Sequence, residues 1–161
     1  MGVWADFFLG ELGAAAALAG LLFVSVSVNQ ARILKLGRMA DRGLEALVML
    51  FLVIVVASLP LVPAQPLRLL GGEILVAGVV VLAITVHLQR VYLQTVDPAY
   101  LTPSTQMVQF NRLAVGTIAL AGLVVLARGD DIGLYLLAPG ILLSFCAAGA
   151  NAWVLLIEIN R

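Results

Sequence analysis

Residues 44–62 read LEALVMLFLVIVVASLPLV, and between Glu45 and Ser58 this stretch carries no polar side chain at all. A run of about this length must satisfy its own backbone N–H and C=O groups in hydrocarbon, which makes it a membrane-spanning helix. It closes among Pro60, Pro63 and Pro66, none of which can continue a helix. Four similar stretches flank it. The first span runs from Phe7 to about Val28, and the second is Leu44 to Val62 itself. The third begins at Ile74 and is apolar to Val86; to cross a bilayer it must continue past His87, Gln89 and Arg90 to about Leu93. The fourth starts at Thr102-Pro103, a capping residue followed by proline at the first helical position, and enters the membrane near Leu113. The fifth extends from Ile132 to about Ile159, with Pro139-Gly140 dividing it. Either that span is kinked at the proline, or a short surface segment precedes a helix that starts there. The polar link Arg128-Gly129-Asp130-Asp131 makes the fourth and fifth spans a tight hairpin.

Composition agrees with this layout. The 161 residues are 63% hydrophobic and 11% charged, against roughly 45–50% and 25% in a soluble domain. Mean hydropathy is +1.12, which leaves no room for a sizeable water-soluble unit beside the spans. Nine Lys plus Arg balance nine Asp plus Glu, so no charge excess points to a polyanionic partner. Soluble enzymes and nucleic-acid binders are excluded. The expected fold is all-α, a polytopic transmembrane helix bundle of five spans in which residues 1–161 form a single transmembrane helical domain. With the N-terminus outside and the C-terminus inside, Arg32, Lys35, Arg38, Arg42, Arg90, Arg112 and Arg161 lie on the cytoplasmic side, leaving Arg68 and Arg128 outside. That is the bias membrane insertion imposes on short loops.

The first span places Gly10, Gly13, Ala17 and Gly20 at alternating spacings of three and four. Small side chains in one stripe let helices approach closely, and close van der Waals contact is what associates helices in lipid. These four residues are the expected helix-packing interface, within the bundle or between protomers. The polar residues suggest a second site. Asn29 closes the first span and Glu45 opens the second, while His87 and Arg90 sit one turn apart on the third. On the fifth, Ser144, Asn151 and Glu158 recur at heptad spacing, hence on nearly one face. Asn29, Glu45, His87, Arg90 and Asn151 therefore form a candidate polar layer in the cytoplasmic third. It serves either as a hydrogen-bonded structural layer, with a pairing such as Glu45 to Arg90, or as an ion or proton path that uses histidine, the side chain titrating nearest neutrality.

Other chemistry finds no support. One histidine and interfacial carboxylates supply no metal-ligand spacing, and Cys146, the only cysteine, lies in an apolar run. No nucleophile elbow or phosphate loop occurs, so no catalytic residue, metal or cofactor is expected.

The opening block has Phe7-Phe8, then Gly13-Ala14-Ala15-Ala16-Ala17-Leu18-Ala19-Gly20, then Phe23-Val24-Ser25-Val26-Ser27-Val28-Asn29. It is followed by Arg42 and Glu45 at the head of the second span and Leu61-Val62-Pro63 at its tail. Over mainly the first 75 residues this resembles a family of small uncharacterised bacterial integral membrane proteins, some labelled modulator of FtsH protease. The resemblance implies a bacterial inner-membrane setting and carries no catalytic residues. The expected function is that of a non-enzymatic integral membrane protein, a self-associating structural or regulatory subunit. Its partners are the lipid bilayer and a second copy or another membrane protein. The alternative is a homo-oligomeric ion or proton channel, or a small transporter, using the polar layer.

Overall fold

A computed structural model describes residues 2–35, 38–95 and 101–159; side chains at 2–3, 32, 34–35, 38–41, 95, 101–103 and 155–159 fall outside the description. The elements in order are α1 (Gly2–Val28), α2 (Gln30–Lys35), α3 (Arg38–Ser58), a 3-10 turn (Leu59–Leu61), α4 (Leu67–Thr95), α5 (Leu101–Arg128) and α6 (Ile132–Ile159). The described residues contain no strand. Five helices, α1 and α3 to α6, are long and apolar enough to cross a membrane, the mark of a multi-pass membrane protein.

Helix boundaries differ from the sequence expectation at α4, and at α6 one of the two alternatives is found. From sequence the third span starts at Ile74, yet α4 begins at Leu67, with the Leu70 amide bonded to the Pro66 carbonyl at 3.0 Å. Gly71 and Gly72 are helical, and Gly71 lies against a neighbouring helix: a Cβ built there would lie 2.8 Å from the Leu126 Cα. Likewise α6 is one helix that passes through Pro139, so no separate surface segment precedes it. Pro139 is exposed, and Gly140 beside it turns inward, where a Cβ would meet the Ile118 Cγ1 at 2.9 Å. The short α2 between the first two spans has no counterpart in the sequence reading.

Four helices make a closed ring in which α3 touches α4 and α6, and α5 touches the same two. The interior is apolar through most of its length, filled by Met49, Leu52, Val53, Ile74, Ile118, Leu137 and Ile141. Here α4 and α5 meet nearly backbone to backbone. Gly78 would place a Cβ 2.9 Å from the Ala119 Cα, and Gly122 would place one 2.8 Å from the Leu75 Cα. Gly133 of α6 faces the Ala121 carbonyl oxygen in the same way, at 2.8 Å.

Helix α1 stands outside the ring and packs chiefly on α3. Its buried positions are Phe8, Ala15, Ala19 and Leu22. Gly10, Gly13, Ala17 and Gly20 each lie two residues from one of these, about 200° round the helix, and all four are exposed. Nothing lies within 4 Å of a Cβ built on Gly10, Gly13 or Gly20. The stripe thus takes no part in packing within the described chain.

The two ends of the ring differ. At one, Trp4 stacks edge-on against Tyr135 with centroids 4.7 Å apart. Chain reversal there uses two left-handed residues: Ala64 (φ 58°), and Gly129 (φ 69°), whose amide closes α5 on the Val125 carbonyl at 2.8 Å. The opposite end, where α3 and α5 begin and α4 and α6 finish, is polar.

Candidate functional site

Each helix of the ring contributes at least one buried polar side chain to that end. On α4 the inward face runs Gly71, Ile74, Gly78, Thr85 and Gln89, a spacing of three, four and seven residues that keeps one side inward. On α5, Ser104, Asn111, Ile118 and Val125 recur every seven residues and are all buried. On α6, Leu137, Ser144 and Asn151 do the same, and on α3, Glu45 and Leu52. The ends of these four stripes converge on Glu45, Gln89, Asn111 and Asn151.

Glu45 is the hub. Its Oε1 accepts from the Gln89 Nε2 at 2.5 Å and from the Asn111 Nδ2 at 2.9 Å. The freed Gln89 Oε1 accepts from the Arg112 Nε at 2.7 Å. Two amides therefore hold the carboxylate, and a guanidinium orients one of those amides from behind. At the rim, an Arg42 guanidinium nitrogen donates to the Tyr92 hydroxyl at 2.5 Å, with the Arg42 Cζ 4.9 Å from the ring centroid. The Tyr92 hydroxyl is also 3.2 Å from the Ser104 Oγ.

A small cavity sits among these groups, lined by Arg42, Glu45, Gln89, Tyr92, Asn111 and Asn151 with apolar Leu88, Met107 and Val108. Its volume of about 10 Å³ is the space of a single water. Two of the residues that line it each have one buried amide atom with no protein partner, the Asn111 Oδ1 and the Asn151 Nδ2. Toward the other end, Thr85 is buried without a partner for its hydroxyl, and the Ser144 hydroxyl bonds back to the Gly140 carbonyl at 2.9 Å.

Of the five polar residues singled out from sequence, Glu45 and Asn151 line this cavity and three do not. His87 and Arg90 are exposed on the outer side of α4. The Glu45 carboxylate faces Gln89 and Asn111, and the Arg90 pairing offered from sequence is not formed. Asn29 is part-buried and donates from its Nδ2 to the Ser25 carbonyl of its own helix at 2.9 Å. The Glu158 side chain lies outside the described residues. Sequence reading passed over Gln89, Asn111 and Ser104, although extending the Ile118–Val125 stripe by its own period of seven reaches Asn111 and Ser104, and Gln89 lies one helical turn beyond Thr85 on the Gly71–Gly78–Thr85 face. Among the described residues no group of three His, Cys, Asp or Glu side chains is placed to hold a metal ion, and Cys146 is exposed.

No protein family, curated protein or solved structure matches the chain.

Proposed function

We propose that the protein is a non-enzymatic integral membrane subunit that self-associates through the outer face of α1, in a structural or regulatory role. The observation that carries this is the open space over Gly10, Gly13 and Gly20, on a helix whose opposite face packs chiefly on α3. A stripe of small residues in lipid gains contact only when another helix lies against it. The same stripe on a second copy is self-complementary, as a two-fold interface requires.

Embedding in a bilayer is supported by the aromatic side chains. Tyr135 and Trp153 are both exposed on α6 and lie eighteen residues apart, five full turns and about 27 Å along one face. That separation is close to the thickness of the hydrocarbon layer, and rings of this kind favour its two boundaries. Asn151 then falls just inside the Trp153 boundary, so the polar cluster lies at the membrane margin. The basic residues favour placing this margin on the cytoplasmic side, with the N-terminus outside. The bacterial inner membrane is the proposed location, in keeping with the resemblance of the first 75 residues.

A conduction path within one protomer receives less support. Beyond the cluster the ring is filled by Met49, Leu52, Val53, Ile74, Ile118 and Ile141, and His87 faces outward. The deciding experiment is oligomeric state, by crosslinking in liposomes and by light scattering in mild detergent. Gly13→Leu with Gly20→Leu is expected to convert the oligomer to a folded monomer. An unchanged oligomer in both settings would discard the α1 interface, and capture of a different membrane protein by the wild-type face alone would replace the second copy with that partner.

A further inference from the structure

The orphaned amides of Asn111 and Asn151 and the cavity that both residues line point to a ligand that neither the helical ring nor the self-association reading uses. The geometry points to a hydration site: one water molecule held in the Glu45 cavity, accepting from the Asn151 Nδ2 and donating to the Asn111 Oδ1, thereby tying α6 into the cluster built by α3, α4 and α5. Asn111 and Asn151 are 0% and 1% exposed. Each leaves one amide atom without a protein partner, and both line the same space.

Size and hydrogen-bonding type select the guest. A volume of about 10 Å³ is close to what one water needs. The guest must also accept from one amide and donate to the other. A chloride cannot donate and an ammonium cannot accept; water does both. If the Asn151 amide is turned so that its oxygen faces the cavity, water still serves by donating to two carbonyl oxygens, whereas a metal cation would fit that orientation alone. Cations are therefore the rival guest, and the test is built to separate the two.

The hydrogen-bonded chain then runs Arg112, Gln89, Glu45, Asn111, water, Asn151, with every helix of the ring represented. Two buried amide atoms that would otherwise destabilise the fold are satisfied. Held between two buried side-chain amides, the water is a structural member of the bundle.

Two measurements on the full chain test this. In a structure of the wild-type protein that shows ordered solvent, a single peak within hydrogen-bond distance of both the Asn111 Oδ1 and the Asn151 Nδ2 is expected. A direct bond between the two side chains, or a cavity without density, overturns the site. In detergent, the thermal midpoint is compared for wild type, Asn111→Leu, Asn151→Leu and the double variant, in sodium, potassium and choline chloride. Because either substitution removes the bridge, the double variant is expected to lose little more than the worse single variant, with wild type indifferent to the cation. Additive losses overturn the bridge, and a wild-type midpoint raised by sodium or potassium alone replaces water with that ion. Should the variants fail to fold, the wild-type density and the cation series still decide.

Discussion

Two stripes of small residues run along this protein. One, Gly71, Gly78 and Gly122 with Ala119, closes the seam between α4 and α5 so tightly that no Cβ fits at the glycines. The other, Gly10, Gly13, Ala17 and Gly20, lies on the outside of α1 with nothing near it. Both read alike in sequence: small side chains at helical spacing inside an apolar run. The difference teaches that such a stripe reports a helix built for close approach without saying whether the approaching helix belongs to the same chain. A glycine already facing a neighbour's backbone is a structural necessity; one facing open space is free to serve assembly.

The sharpest way to break this comparison is to fill both stripes. Gly122→Leu drives a branched side chain into the Leu75 backbone and is expected to destabilise the monomer by roughly 3 kcal/mol, the upper range for overpacking. Unfolding in detergent, at a dilution that keeps the chain monomeric, measures it. Gly13→Leu under the same conditions should leave the unfolding midpoint near that of wild type. Equal losses at the two sites would mean that α1 has a partner within the chain.

The polar cluster carries the next largest effect and repeats the contrast between inner and outer faces. Glu45→Ala strips the shared acceptor from Gln89 and Asn111 and is expected to cost roughly 2 kcal/mol of stability, in the range for hydrogen bonds to a charged group. Glu45→Gln keeps an acceptor oxygen and should recover much of that loss. If Glu45→Ala were neutral in the same unfolding assay, the cluster would be ornamental and the closure of that end would rest on apolar packing alone.

How far the sequence discloses this follows from what each signal depends on. The five apolar helices are visible because spanning hydrocarbon requires long apolar runs, a property of each segment alone. The start of α4 and the continuity of α6 are less visible, since the uninterrupted apolar run begins only after Glu73 and Pro139 reads equally as a kink or a start, while the close approaches of Gly71 and Gly140 to neighbouring helices are recorded in neither segment. For the site, Glu45 and Asn151 stand out as polar residues in apolar surroundings. His87 and Arg90 stand out equally and lie on the outer side, because chemical character attracts notice while the helix face decides position. Gln89 lies two residues from His87 and is inward only because it continues the Gly71–Gly78–Thr85 stripe. Which stripes converge on one end is a fact of the ring that no single helix records.

Smaller effects sharpen the contrast. Gly13→Ala replaces the residue that most weakens a helix interior at a position with room for a methyl group. It should therefore stabilise the monomer by about 0.5–1 kcal/mol. At Gly78, where a Cβ would lie 2.9 Å from the Ala119 backbone, the same substitution should reverse sign. A gain at both positions would show that the α4–α5 seam yields without strain.

The least effect is expected from the residue that sequence makes most conspicuous. His87 is exposed on α4, half a turn away from the face that carries Thr85 and Gln89. His87→Ala should shift stability by less than about 0.5 kcal/mol, as for surface positions without a structural role. Gln89→Leu on the same helix removes one of the two donors to the Glu45 carboxylate and the acceptor of the Arg112 guanidinium, and should be plainly destabilising. Proton flux into liposomes is the complementary readout, and it should not differ between wild type and His87→Ala. A flux that vanished in His87→Ala while the fold persisted would move function from the interior of the ring to its outer surface, where only a second copy could complete a path.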